Sequence, residues 1–104
     1  MNDKFILEGH KVVRCDDLMK WAKWLGTADR HVAKITLSNG VDISTVFLGL
    51  DHNFTGKPPI LFETMVFGGE LDQHLERYSN WQDAEEGHKR WVAKAQPKVE
   101  AKTE

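Results

Sequence analysis

The chain has 104 residues, 40% of them hydrophobic, and a formal net charge of −2. That length bounds it to one domain with one core, and the charge gives no basic footprint for duplex nucleic acid. The start, MNDKFILEGH, has no apolar export segment, and no apolar run approaches membrane-spanning length, so a cytoplasmic protein with no membrane partner is expected.

In chain order, Phe5-Ile6-Leu7 and Lys11-Val12-Val13 flank Glu8-Gly9-His10 and predict a short hairpin. Cys15 is the single cysteine, which excludes an internal disulfide and gives the residue a structural role. Asp16 or Asp17 caps a first helix whose apolar stripe is Leu18, Trp21, Ala22 and Leu25, with Gly26 as its stop. Trp24 falls beside that stripe.

A second hairpin follows. Ala33, Ile35 and Leu37 alternate with polar neighbours, as do Val41, Ile43, Thr45 and Phe47. A two-residue Asn-Gly loop would set Leu37 opposite Asp42 and mix the faces. A three-residue loop, Ser38-Asn39-Gly40, sets Leu37 opposite Val41 and Ile35 opposite Ile43, and requires Gly40 to be left-handed. From Phe47 to Leu50 the run is apolar on both faces and predicts cover on both sides, by a helix or another subunit. Residues 51–59 form a loop broken by Pro58-Pro59. Ile60 to Phe67 is a strand with Glu63 on the same face as Leu61, Met65 and Phe67. Residues 70–78 are open between loop and short helix. Ser79 or Asn80 starts a final helix, with Trp81, Ala84, His88, Trp91, Val92 and Ala95 along one face. Gly87 inside that helix costs about 1 kcal/mol against alanine; a close helix-to-sheet contact is one reason for it and chance the other.

The fold class is therefore α+β: an antiparallel sheet of about five strands with two packed helices, in the order β-β-α-β-β-β-α. Residues 1–96 form one domain, and 97–104 are expected to be a disordered polar tail.

The five histidines, His10, His31, His52, His74 and His88, show no metal-ligand spacing, and no cofactor motif is present. The polar patch Asp51-His52-Asn53-Phe54, followed by Lys57, sits at a strand end where binding loops occur. Asp51 and Asn53 suit ribose or base edges, or supply turn hydrogen bonds. Glu63 is open to three readings: an ion pair with Arg77 or Lys57, an exposed edge residue, or a ligand contact. Trp24, Phe54 and Tyr78 offer rings for stacking a base, and Arg77 and Lys57 suit phosphate. Trp21, Trp81 and Trp91 read as core.

Ser44 to His52, Pro58 to Gly69, Arg77-Tyr78-Ser79, Trp81, Ala84-Glu85 and Gly87-His88 together resemble a family of small phage and prophage proteins. Within phage accessory proteins the chain is similar, in size and in its mix of sheet, helices, aromatics and arginine, to the anti-Thoeris sponges. Those bind cyclic nucleotide signals without cleaving them, usually as oligomers. The resemblance implies a non-enzymatic, homo-oligomeric anti-defence protein, in a bacterial host's cytoplasm, that sequesters a nucleotide-type small molecule. Two alternatives stay open: an anti-CRISPR-like inhibitor that docks on a host defence protein, and a small hydrolase using His52, Asp51 and Glu63.

Overall fold

A computed structural model describes residues 3–97. The expected tail at 98–104 lies outside them. Strands β1 (Phe5–Glu8) and β2 (Lys11–Arg14) pair antiparallel around Gly9 and His10. Helix α1 (Leu18–Thr27) follows. Strands β3 (His31–Thr36), β4 (Asp42–Phe47), β5 (Phe62–Phe67) and β6 (Leu75–Tyr78) then form an antiparallel sheet in that order, and helix α2 (Trp81–Ala95) closes the fold.

The α+β class holds, but the single five-stranded sheet does not. The strands divide into a two-stranded and a four-stranded sheet. The first hairpin reaches the rest of the fold through an isolated bridge, Lys4 to Leu50, and a hydrogen bond from Phe5 N to Gly49 O at 2.8 Å. The added strand is β6, from the stretch left open between loop and helix. Its alternation is hidden in the sequence because one of its faces carries Glu76 and Tyr78, and the other Leu75 and Arg77.

Within the large sheet the register is the one the side-chain pattern requires. Ile35 stands opposite Ile43, Leu37 N donates to Val41 O at 2.8 Å, and Gly40 takes φ +86°. On β4 every second residue is buried, and on β5 likewise. Ile43, Thr45, Phe47, Phe62, Thr64 and Val66 thus form one floor under α2. Each fully buried large apolar side chain there contributes about 1.5–3 kcal/mol.

The helices differ from expectation in detail. Asp17 caps α1, accepting from Met19 N and Lys20 N, as one of the two aspartates was expected to. The helix runs past Gly26 to Thr27 and ends where Ala28 N donates to Trp24 O. Leu18 and Ala22 are exposed, so the inward stripe is rotated toward Trp21, Trp24 and Leu25. α2 is capped by Asn80, whose Oδ1 accepts from Asp83 N at 2.8 Å, rather than by a Ser79 box. The Phe47–Leu50 segment is covered by α1 and the first hairpin: Trp21 Nε1 donates to Gly49 O at 3.1 Å, and a side chain at Gly49 would meet Leu25 Cδ1 at 2.7 Å. No helix among the described residues is long and apolar enough to cross a membrane.

Candidate functional site

The sheet has two unlike faces. One is roofed by α2. The other carries Asp42, Ser44 and Val46 on β4, Glu63, Met65 and Phe67 on β5, and Leu75 and Arg77 on β6, and neither helix among the described residues lies over it. The cross-strand partners His31, Val46, Glu63 and Arg77 form one row across all four strands. Within that row Arg77 Nε donates to Glu63 Oε2 at 2.9 Å. Glu63 is half-buried and Arg77 exposed. Phe67 is 45% exposed and Leu75 44%; half-buried Met65 stands between Phe67 and Glu63 on β5, and half-buried Val46 lies opposite Glu63 on β4. The uncovered face is therefore mixed: Phe67, Met65 and Leu75 form an apolar strip, bordered by Asp42 and Ser44 on β4 and by the Glu63–Arg77 pair.

The loop residues expected to converge with Glu63 and Arg77 are spent elsewhere. Asp51 Oδ1 accepts from Asn53 N at 2.7 Å and Ile60 N at 2.9 Å. Asn53 donates through Nδ2 to Pro58 O at 2.8 Å, and its Oδ1 accepts from Thr55 N and Oγ1 at 3.0 Å each. These are bonds of a polar turn that holds its own backbone. His52 Nδ1 lies 2.8 Å from Leu50 O, to which it donates. Phe54 is 75% exposed at the loop tip, and Lys57 is exposed without an ion pair among the described residues. Among the described residues no hydrogen bond or ion pair joins this loop to Glu63 or Arg77. Likewise, among the described residues no hydrogen bond or ion pair joins the side chains of His52, Asp51 and Glu63 to one another, and no three His, Cys, Asp or Glu side chains are placed to hold a metal ion.

Two of the three stacking candidates are also core residues. Trp24 meets Phe47 edge-on, with ring centroids 5.7 Å apart, and packs against the cluster of Phe47, Phe62 and Tyr78. Tyr78 is 7% exposed. Its place on β6 turns the ring under α2, where it fills the space left by Gly87. It is not available to stack a ligand.

Tyr78 belongs instead to a polar chain that sequence reasoning missed. His88 Nδ1 and Thr45 Oγ1 are 2.7 Å apart, and Thr45 and Thr64 Oγ1 2.6 Å. The Tyr78 hydroxyl is 2.9 Å from Thr64 Oγ1 and 3.2 Å from Glu76 Oε1. Glu76 Oε1 also accepts from Trp91 Nε1 at 2.9 Å and Arg90 Nη2 at 3.1 Å. A carboxylate is the strongest acceptor in the series. When Tyr78 gives it a proton, Thr64 donates to Tyr78, Thr45 to Thr64, and His88 Nδ1–H to Thr45, and every buried member is satisfied. Burial lowers the His88 pKa and raises that of Tyr78. Burial also opposes the Glu76 charge, but donation from Trp91, Arg90 and Tyr78 outweighs it and holds that carboxyl below its ordinary range. Both threonines occupy inward strand positions, which is the signal that finds them.

Cavities open on the surface of the described residues. One, of about 340 Å³, has an apolar wall of Val41, Leu71 and Ala95 with Lys94 at its rim. Another, of about 400 Å³, lies between the carbonyl end of α1 and β3 and is lined by Leu25, Ala28, Arg30, His31 and Val46 among others. Through His31 and Val46 it adjoins the row that ends at Glu63 and Arg77. Compared with known proteins, the chain matches no family model, no curated protein and no solved structure.

Proposed function

We propose that this chain binds a nucleotide-type small molecule without cleaving it, on the uncovered face of the four-stranded sheet. The setting is the one that its likeness to phage proteins implies, sequestration of an immune signal in the cytoplasm of a bacterial host. The observation that carries the reading is the Glu63–Arg77 pair standing beside the exposed Phe67 and Leu75. A base gains by covering the apolar strip, and a phosphate by reaching the guanidinium. The pair need not break, because Arg77 holds Glu63 through Nε and is exposed enough to turn its other donors to a phosphate. Binding is favoured over hydrolysis because Asp51, His52 and Glu63 each have other partners. A second copy of the chain laid over the same face would enclose a ligand that one open sheet leaves half wet.

The same exposed Phe67 and Leu75 also favour a second reading, in which a host defence protein docks on this face. One experiment separates the two. The protein is incubated with a nucleotide panel, re-isolated and heat-denatured, and the released material is analysed by mass. Intact nucleotide in the supernatant supports sequestration, altered nucleotide an enzyme, and none at all the protein inhibitor. Arg77→Ala is expected to stay folded and to weaken capture on the order of tenfold; capture equal to wild type removes Arg77 from the site.

A further inference from the structure

Arg30 stands apart from the other arginines. Arg14 pairs with Asp3 and Asp16, Arg77 with Glu63, and Arg90 with Glu76. Among the described residues Arg30 has no carboxylate partner, although it is half-buried. It is also held in place. Phe47 N donates to Arg30 O at 2.8 Å, and Arg30 Nη1 donates back to Phe47 O at 3.3 Å. A guanidinium has five N–H donors, so four remain without a protein acceptor. No Arg30 nitrogen is a buried unpartnered atom, so these donors face solvent, where an anion with two oxygens can take the place of water.

The surroundings fit such an anion. Arg30 lines the cavity of about 400 Å³ with Leu25, Ala28, His31 and Val46. Asp29 also lines it, but its Oδ1 accepts from both His31 N and His31 Nδ1 at 3.0 Å each. That pairing leaves Nε2 as the His31 nitrogen for a ligand, an acceptor in the neutral ring and a donor to an anion in the imidazolium form. The carbonyl end of α1 borders the cavity, and its last turn is already capped: Ala28 N donates to Trp24 O at 2.8 Å and Thr27 Oγ1 to Lys23 O at 2.9 Å. Those bonds take up the Trp24 and Lys23 carbonyls, but Leu25, Gly26 and Ala28 of the last turn line the cavity itself, so an anion there depends on Arg30 outweighing the negative end of the helix.

We infer that Arg30, with His31 beside it, anchors a phosphate or phosphate ester in this cavity. The planar fork of Arg30 meets two oxygens at once, and the apolar wall of Leu25, Ala28 and Val46 receives the body of the ester. The inference rests on the nucleotide reading only for the identity of that body, and its test is independent. Inorganic phosphate is titrated into ¹⁵N-labelled full-length protein at constant ionic strength, with chloride as control. Saturable shifts of the amides of residues 25–31 and 46, and of the Arg30 Nε–H resonance, are expected with phosphate and not with chloride. Arg30→Gln should weaken that response by at least about tenfold while shifts elsewhere stay as in wild type. The inference is overturned if phosphate gives no saturable shift there, if chloride gives the same shifts, or if a folded Arg30→Gln responds like wild type. Should that variant fail to fold, the wild-type shift map and the Nε–H signal decide alone. A phosphate response without capture of any nucleotide upholds the anion site and discards the nucleotide reading. Nucleotide capture without a phosphate response at Arg30 does the reverse.

Discussion

At Gly87 a missing side chain decides how closely α2 lies on the sheet. A methyl group there would overlap the Tyr78 ring and hydroxyl, and Tyr78 is fixed by Thr64 and Glu76. Alanine is worth about 1 kcal/mol more than glycine inside a helix, so on propensity alone Gly87→Ala would stabilise. Overpacking a fixed neighbour costs about 1–3 kcal/mol, and here it wins. Gly87→Ala is expected to lower the urea midpoint; a raised midpoint would show that the helix slides away freely. Of the two reasons for this glycine open from sequence, the close contact is the one found. Tyr78 itself was misread for a related reason. A lone tyrosine beside an arginine looks like a ligand clamp, and only the pairing of β6 with β5 shows which face it takes.

The seam between α2 and the sheet is acid-sensitive as an element. Glu76 holds a depressed pKa in the fold, first against burial and then through its donors. Its contribution is present above the unfolded carboxyl value and lost as pH falls toward the folded one. Burial likewise depresses His88 below 6.5. The unfolded imidazole therefore takes up its proton first, and stability falls as pH drops below the unfolded value. Both groups act in one direction. The urea midpoint should decline from pH 7 toward pH 4, and Glu76→Gln should flatten the lower part of that decline. A midpoint that holds or rises on acidification contradicts this. Elements with period-two or helical patterning were legible: the Leu37–Val41 register, the buried α2 face and the Asp17 cap all follow from local rules. Strand β6 was not, because four residues reading Leu-Glu-Arg-Tyr carry no alternation of polarity. Nor was the Thr45–Thr64–His88 chain visible as a chain, since its members are joined by pairing between β4 and β5 and by the docking of α2.

For the whole molecule, the consequence of two sheets rather than one is an unroofed face. Had β1 and β2 joined the large sheet, they would have widened it. Instead they pack beside it, over the Phe47–Leu50 segment. α1 then covers that segment and meets the open face only at the corner where Arg30 and His31 line their cavity. Of the candidate site, the Glu63–Arg77 pair was one of the three readings open for Glu63, argued from a carboxylate on an apolar strand needing a cation, and the structure selects Arg77 over Lys57 as the partner. Asp51 and Asn53 were expected to converge with that pair, and both side chains hold the turn they build. Arg30 escaped notice because nothing in the sequence marks an arginine that lacks an acid partner. The most direct test of the open face as the binding surface is calorimetric titration of the nucleotide panel into wild type, Met65→Glu and Phe54→Ser, with near-UV dichroism confirming the fold. Wild type and Phe54→Ser should bind the same nucleotide with equal affinity, and Met65→Glu, which sets a negative charge in the apolar strip, should not bind it. No binding by wild type, or binding by Met65→Glu that matches wild type, would contradict the account.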